Sequence, residues 1–254
     1  MSITNTESKI KFLKAVIISN EKIAGHTYHL KVQGDDIKNI DYTPGMHMKV
    51  VVDSSDDSLL NIKLRSYSIW DFDSEKGTID IAVCTHSSGL GSKWIEQAEA
   101  GNDFYFFLKK TLVVDDSADN YFFIGDISTL GHFYKVNRAL PENKKVFSFM
   151  YGNETDFFSD IDGAKPFDFY PLPSDRNLPA PIEFLEEKIT GTLDKLHKEY
   201  SIKPEASSGS CIAYIGGDAR VCAELTAFFT RKLGWHPTQI KMKSFWNPDK
   251  VREE

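Results

Sequence analysis

The stretch KLRSYSIWDF, residues 63–72, sets an arginine, a tyrosine and two serines in a run that otherwise alternates like a half-buried strand. In strand geometry Arg65 and Tyr67 point to one face, while Ser66 and Ser68 point to the other. A guanidinium suits a phosphate and a phenol ring suits an aromatic plane, so this surface fits a ligand with a pyrophosphate and a flat ring system. A serine hydroxyl or a backbone N–H beside the ring is a candidate hydrogen-bond partner for its polar edge. The alternative is an ordinary barrel strand with an exposed arginine and a core tyrosine.

A second pattern, HSSGLGSKW at residues 86–94, directly precedes a predicted short helix. Glycines that allow close approach, followed by a serine at a helix N-terminus, present N–H groups and the positive end of the helix dipole to an anion. The pattern therefore predicts a phosphate seat. Its candidate residues are His86, Gly89, Gly91 and Ser92. Glycine and serine also begin many helices purely as capping residues, and a lone histidine here is equally suited to a backbone contact.

Two junctions in the second half of the chain, FIGDISTLG and YIGGDAR, follow apolar runs that are predicted to be strands. In an open parallel sheet, ligands bind at the carboxyl ends of strands, where glycines allow close approach and polar side chains contact ribose or phosphate. The candidates are Gly125, Asp126, Ser128, Gly216, Gly217 and Asp218. Neither junction is GxGxxG, so the ordinary dinucleotide fingerprint is absent. The alternative is that these glycines only turn the chain.

The C-terminal stretch IKMKSFWNPDKVREE combines an aromatic pair with several basic residues. Trp246 on a terminal strand is a candidate cover for a flat cofactor, or an ordinary core residue. Lys243 and Lys250 belong to a basic cluster in an otherwise acidic protein, for which a solvated tail is the alternative.

Composition limits the classes of protein that these motifs could serve. The chain has 254 residues, of which 41% are hydrophobic and 26% charged, as expected for a soluble protein with one large or two ordinary domains. A formal net charge of -7 gives no general attraction for nucleic acid or an anionic membrane. Cys84, Cys211 and Cys222 lie far apart with no metal-site spacing, which suits a reducing compartment. No stretch has the length of a signal peptide core or a membrane span, so we expect a cytoplasmic protein.

The hydrophobic pattern predicts two domains. From residue 9 to about residue 112, six short apolar runs separated by turn residues predict a small antiparallel barrel or sandwich. One short helix is inserted before Gly101, and we interpret this half as a barrel. From about residue 119, strand and helix patterns alternate and predict a parallel, doubly wound sheet. We place the boundary in the acidic stretch near residue 115, giving domains 1–117 and 118–254.

A barrel with Arg-x-Tyr-Ser, then a glycine-serine helix start, then an α/β domain with a Gly-Asp-x-x-Thr-like junction, resembles the ferredoxin-reductase-like flavoproteins over nearly the whole chain. More narrowly, the chain resembles the siderophore-interacting, or ferric-siderophore reductase, family. RSYSI corresponds to that family's Arg-x-Tyr-Thr/Ser and HSSGLGSKW to its His-x-x-Gly-Pro-x-x-x-Trp. GGDAR and the terminal FW correspond to its Ala-Gly-Glu and Tyr-Trp. The sequence departs from the family pattern at Leu90, Gly131 and Asn247, and has FLKKTL in place of Gly-Pro-Arg-Gly after the barrel helix.

The resemblance implies an FAD-binding barrel and a domain like those that bind NAD(P)H. Arg65 would contact the FAD pyrophosphate, Tyr67 the isoalloxazine and Ser68 its polar edge. His86, Gly89, Gly91 and Ser92 would line the FAD, and Trp246 would cover it. The residues that would face a nicotinamide nucleotide are Gly125, Asp126, Ser128, Gly216, Gly217 and Asp218.

The resemblance also implies the reaction: FAD-dependent reduction of ferric siderophores to release Fe(II), with NADH, NADPH or reduced ferredoxin as donor. No catalytic acid or base is needed from the protein. Lys63, Lys93, Lys243 and Lys250 are the candidates for attracting an anionic ferric complex. The region MYGNETDFFSD lacks Arg and Lys, which favours NADH over NADPH. The alternatives are a general flavin or ferredoxin-NAD(P) oxidoreductase, and a non-catalytic module that binds flavin or siderophore.

The connection from Glu154 to Glu187 is acidic, with nine Asp and Glu residues against only Lys165 and Arg176. It is too long for a plain linker. We expect an excursion over the sheet, with a lid or a partner-docking surface as the alternatives.

Overall fold

A computed structural model describes residues 12–53, 62–85, 89–163, 165–172, 179–200 and 211–247. These residues form a seven-stranded sheet from the first half of the chain and a five-stranded sheet from the second half. Neighbouring strands run antiparallel in the first sheet and parallel in the second. The predicted fold class, an antiparallel barrel followed by an α/β domain with a parallel sheet, is confirmed. The boundary between residues 117 and 118 stays a prediction.

The first sheet has the strand order β4-β3-β7-β1-β2-β6-β5. Its strands are β1 Leu13–Ala24, β2 Thr27–Gln33, β3 Met46–Asp53, β4 Lys63–Ser68, β5 Asp71–Asp73, β6 Thr78–Cys84 and β7 Asp103–Lys110. Two helices accompany it: α1 Asp35–Lys38 and α2 Leu90–Gln97. Edge strand β4 packs against β6 near the opposite edge, so the sheet curls into a barrel.

Alternation of side chains explains the barrel. In β1, the side chains of Ala15 and Ile17 are buried, whereas the side chains that follow each of them, Val16 and Ile18, are exposed. The predicted strand over residues 63–72 divides into β4 and β5, because Ile69 and Trp70 are both buried and interrupt the alternation. The sequence thus predicts six strands, whereas the described residues of the first sheet form seven.

The second sheet has the strand order β10-β9-β8-β11-β12. Its strands are β8 Asn120–Asp126, β9 Lys145–Tyr151, β10 Phe169–Tyr170, β11 Cys211–Asp218 and β12 Ile240–Trp246. The helices are α3 Leu130–Ala139, α4 Ile182–Tyr200 and α5 Ala219–Ala227, the last followed by a π-helical turn over Phe228–Lys232. Every residue of β8 and β11 is buried, as in a sheet covered on both faces. The chain leaves β8 towards β9 and returns to β11 on the other side, so the carboxyl ends of β8 and β11 flank the switch point where ligands bind in such sheets.

The two sheets are joined by a polar and aromatic contact centred on Trp70. The indole Nε1 of Trp70 donates to Asp160 at 2.8 Å, and Arg138 on α3 donates to the Trp70 carbonyl at 2.6 Å. A Cβ on Gly131 would lie 3.1 Å from the Ala82 Cβ and 3.3 Å from the Trp70 Cβ. Glycine at position 131 therefore lets the start of α3 approach the barrel closely.

The described part of the acidic connection packs over the parallel sheet. Phe158 and Phe167 are buried in the same hydrophobic cluster as Phe123 of β8 and Tyr134 of α3. The Asp160 carboxylate pairs with Arg138 at 3.2 Å, and the Tyr134 hydroxyl donates to the Phe158 carbonyl at 2.9 Å. These contacts make this part of the connection a fixed layer of the domain.

Candidate functional site

Arg65 and Tyr67 lie on β4, the strand at one edge of the seven-stranded sheet. They pair with the buried Val50 and Met48 on β3, so both side chains leave the strand on its core-facing side. The Tyr67 ring stacks on Trp94 of α2, with 5.6 Å between ring centroids and 23° between ring planes. Burial raises the pKa of the Tyr67 phenol above its usual range. Trp94 was not among the predicted site residues, although it ends the quoted HSSGLGSKW pattern.

The guanidinium of Arg65 has one neutral partner. It donates to the Leu64 carbonyl at 3.2 Å, and within the described ranges it forms no ion pair with a carboxylate. Arg65 is half-buried. A half-buried guanidinium with unused donors is suited to bind an anionic group from a ligand.

The start of α2 lies directly against Arg65 and Tyr67. A Cβ on Gly91 would lie 2.6 Å from the Tyr67 hydroxyl oxygen and 3.5 Å from the Cγ of Arg65. Only glycine fits this approach without displacing the tyrosine. Gly89 is the N-cap of α2, and Ser92 lies in the first turn, where its N–H donates to the Gly89 carbonyl. His86 lies outside the described residues.

The predicted junction residues of the parallel sheet meet around one buried carboxylate, that of Asp126. Its oxygens accept from the Ser128 N–H at 2.9 Å, the Ser128 hydroxyl at 2.5 Å, the Asp218 N–H at 2.8 Å and the Trp246 indole N–H at 2.7 Å. A carboxylate has about four acceptor positions, so these four donors fully engage Asp126. Asp126 therefore ties the carboxyl ends of β8, β11 and β12 together.

The glycines at these strand ends make that arrangement possible. Gly217 has a φ of +98°, and a Cβ there would overlap the Asp126 carboxylate. A Cβ on Gly216 would lie 2.8 Å from the Thr129 Cγ2, and one on Gly125 would lie 3.0 Å from the Gly216 carbonyl oxygen. The three glycines thus allow β8, β11 and the turn after β8 to pack closely.

Asp218 is engaged within its own turn. Its carboxylate accepts from the Arg220 N–H at 2.8 Å and pairs with the Arg220 guanidinium at 2.6 Å. It therefore caps the start of α5. A role for these junction residues in facing a nicotinamide nucleotide stays a prediction.

The predicted lysines divide into three groups. Lys63 and Lys93 are exposed, and Lys250 lies outside the described residues. Lys243 on β12 is half-buried, and its ammonium Nζ lies 2.7 Å from the Nε2 of His47 on β3. Burial, followed by the charge of Lys49, lowers the pKa of Lys243 to about 8.

The structure adds residues around Lys243 that the sequence did not indicate. His47 is buried, contacts Thr111, and lies two residues from Lys49 on β3. Because His47 and Lys243 are 196 positions apart, no local spacing could have paired them. In the β3–β4 register His47 is opposite Ser68 and Lys49 is opposite Ser66, which places this cluster beside the strand of Arg65 and Tyr67.

No group of three or more His, Cys, Asp or Glu side chains within the described ranges is arranged to hold a metal ion. None of the helices in those ranges is both long and apolar enough to span a bilayer.

Comparison with known families identifies the kind of domain that the barrel forms. Residues 14–106 match the family model of the oxidoreductase FAD-binding domain. The barrel thus resembles an FAD-binding domain of the oxidoreductase type over these residues. No curated protein sequence matches the chain.

Solved structures share the fold of both domains. The siderophore-interacting protein SipS from Aeromonas hydrophila aligns with a TM-score of 0.71 at 13% identity, over 93% of this chain and 98% of that chain. A siderophore utilization protein from T. fusca aligns at 0.69 and 17% identity, over 96% and 95% of the two chains. The ferredoxin-NADP+ reductase from Plasmodium falciparum aligns at 0.67 and 14% identity, over 92% and 96%. The predicted resemblance is confirmed at the level of the fold.

Proposed function

We propose that this protein is an FAD-dependent reductase of ferric siderophores that releases iron as Fe(II). The observation that carries the proposal is the half-buried cation Lys243, whose Nζ lies 2.7 Å from the Nε2 of His47 on β3, the strand that pairs with β4. His47 pairs with Ser68, so this charge lies on the face of the β3–β4 pair opposite to Arg65 and Tyr67. An anionic substrate would thereby be attracted to the other face of the strand that is suited to FAD. The structures named for siderophore interaction or utilization that share this fold support the same substrate class.

The residues of β4 and of the start of α2 fit FAD. Arg65 offers unused donors to a pyrophosphate, and Tyr67, held by Trp94, offers a fixed aromatic surface to a flat ring. Gly91 brings the start of α2 within contact of both side chains, as a backbone cradle for phosphate requires. His86, Gly89 and Ser92 would complete the FAD contacts, and Ser68 would bond the polar edge of the ring system.

Bound FAD would supply the redox chemistry, taking electrons from a donor and passing them singly to Fe(III). The protein itself would bind the FAD and orient it. Asp126 fixes the indole of Trp246 through one hydrogen bond, which holds this aromatic side chain at the end of β12. No side chain needs to act as an acid or base on the iron complex. Fe(II) is the softer ion, so the hard oxygen ligands of a siderophore hold it less tightly and release follows.

The donor in this proposal is NADH, NADPH or reduced ferredoxin. Residues 152–156, which follow β9, contain no Arg or Lys to pair with a 2′-phosphate, and this favours NADH over NADPH. Gly125, Asp126, Ser128, Gly216, Gly217 and Asp218 are the residues proposed to face a nicotinamide. The reaction would take place in the cytoplasm.

The proposal is tested anaerobically with FAD-loaded protein. NADH, NADPH and reduced ferredoxin are added in turn, then a ferric siderophore, while flavin absorbance is followed with an Fe(II) chelator present. We expect one donor to bleach the flavin, and the siderophore to restore its colour while the chelator traps Fe(II).

Other outcomes separate the alternatives. Bleaching without trapped Fe(II) would identify a general flavin or ferredoxin-NAD(P) oxidoreductase. FAD uptake without bleaching by any donor would identify a binding module. A protein that takes up no FAD would refute both enzyme hypotheses.

A further inference from the structure

Three side chains form a hydrogen-bonded chain where the two sheets meet. The Lys243 Nζ lies 2.7 Å from the Nε2 of His47, and the Nδ1 of His47 lies 2.6 Å from the Thr111 hydroxyl oxygen. A charged lysine has no acceptor, so Nε2 must accept and Nδ1 must carry the histidine proton. His47 therefore donates to Thr111 and accepts from Lys243, which connects β3 of the barrel to β12 of the parallel sheet.

Within the described residues, the charged groups that act on these three side chains are positive. Lys49 of β3 and Lys109 of β7 are the other cations that act on the cluster, and His132 of α3 is the further titratable group. Burial and the neighbouring Lys243 charge lower the pKa of His47 to about 3, and burial lowers that of His132 to about 4, so both rings are neutral at physiological pH. Within the described residues, Lys243 forms no ion pair with a carboxylate. A half-buried cation with no anionic partner is costly, and an anion from a ligand would remove that cost.

The hydrogen-bond acceptor of Lys243 is a neutral group, the imidazole of His47. A carboxylate at position 47 would hold the lysine equally well, but it would cancel the charge that an anionic ligand needs. A neutral imidazole fixes the ammonium and leaves its positive charge available. His47 is only 5% exposed, so its ring cannot swing away to another partner.

We propose that His47 and Thr111 are positioning residues for ligand binding: they hold the Lys243 ammonium at β3, so that it receives one anionic group of the ferric complex. This inference rests on the proposed function for the identity of the ligand. It assigns Lys243, and not the exposed Lys63 or Lys93, as the principal cation for ligand binding. Affinity for an anionic ligand should then fall as the pH rises through about 8, where Lys243 loses its proton.

The first test uses a ligand that cannot be reduced. Gallium(III) tris-catecholate is titrated into the FAD-loaded protein from pH 6 to 9.5, and binding is followed by tryptophan fluorescence. We expect binding to weaken above about pH 8 in the parent. His47→Leu, which removes the acceptor, should weaken binding about tenfold at pH 7 and lower the pH at which binding is lost. His47→Gln, which restores an acceptor, should recover most of the affinity, and Thr111→Val should show an intermediate loss.

The matched control is Lys110→Ala, which removes an exposed cation at the end of β7 that is outside the cluster. It should leave affinity and its pH dependence close to those of the parent. Circular dichroism and FAD uptake of each variant report whether the fold is intact. Parent-like affinity and pH dependence in folded His47→Leu would overturn the inference.

A second measurement needs no ligand. The pKa of Lys243 is read from its side-chain carbon resonances by NMR in the parent and in His47→Leu. We expect about 8 in the parent and a lower pKa in the variant, because the charged form loses its hydrogen-bond acceptor. An unchanged pKa would refute the positioning role. Failure of the protein to reduce or bind any ferric chelate would refute the proposed function and leave this result standing.

Discussion

Among the described residues, the guanidinium of Arg65 on β4 has a single neutral partner, the Leu64 carbonyl. Its neighbour Tyr67 is held rigidly between the core and Trp94. A side chain with unused donors and few native contacts contributes more to a ligand than to the fold. Arg65 is therefore the residue whose removal best separates FAD binding from stability.

We expect Arg65→Ala to bind FAD about 10- to 100-fold more weakly, the loss typical of a charge-assisted hydrogen bond to phosphate. The melting temperature of the FAD-free protein should stay close to that of the parent. FAD titration by fluorescence and thermal melts measure the two effects. Lys14→Ala, which removes an exposed cation on the barrel wall, is the control and should retain parent affinity. Undiminished FAD affinity in Arg65→Ala would show that the phosphates bind elsewhere.

The packing of helix α2 against β4 depends on one small residue, Gly91. Helix propensity favours alanine over glycine by about 1 kcal/mol, so a glycine inside a helix requires a packing reason. At Gly91 the reason is the Tyr67 hydroxyl, 2.6 Å from where a Cβ would lie. The helix and strand β4 are thus fitted to each other at the place where FAD is proposed to bind.

Gly91→Ala should displace α2 or Tyr67 and weaken FAD binding by about tenfold or more, despite the better helix propensity of alanine. Gly191→Ala in α4 is the matched control, because nothing lies within 4 Å of its Cβ position. That control should stabilise the protein by about 0.5–1 kcal/mol and leave FAD affinity unchanged. Urea unfolding measures the stability of both variants, and FAD titration measures their FAD affinity. Equal FAD affinity in the two variants would contradict the proposed seat.

At the scale of the whole molecule, the two domains meet through buried groups that titrate. His47 and His132 are both buried and both held neutral, with pKa values lowered to about 3 and about 4, chiefly by burial. In the unfolded chain these histidines bind a proton at about pH 6.5. The unfolded state therefore takes up more protons than the folded state as the pH falls from 6.5 towards 4.

The free energy of unfolding should fall as the pH decreases below about 6.5, with His132 alone contributing about 2 kcal/mol between pH 6.5 and 5. Urea unfolding at several pH values, followed by circular dichroism, measures the slope. His132→Asn should flatten it. A His132→Asn variant with the parent slope would show that this histidine is not held neutral in the fold.

The sequence by itself determined the elements and their order. A period of two residues put Arg65 and Tyr67 on one face of a strand, and continuous apolar runs marked β8 and β11 as buried strands. Apolar and turn residues act on neighbours a few positions away, so such local physics can be read from the chain. The same reading missed the break at Ile69 and Trp70, where two adjacent side chains are both buried by partners distant in sequence.

Only the tertiary structure decided what the polar residues contact. It directed four donors to the Asp126 carboxylate, paired Asp218 with Arg220, and placed Gly131 against Trp70 and Ala82. It also brought Lys243 to His47 from the other end of the chain. Hydrogen bonds and charges act over a few ångströms of space whatever the separation along the chain, so their partners become defined only when the two sheets have packed together.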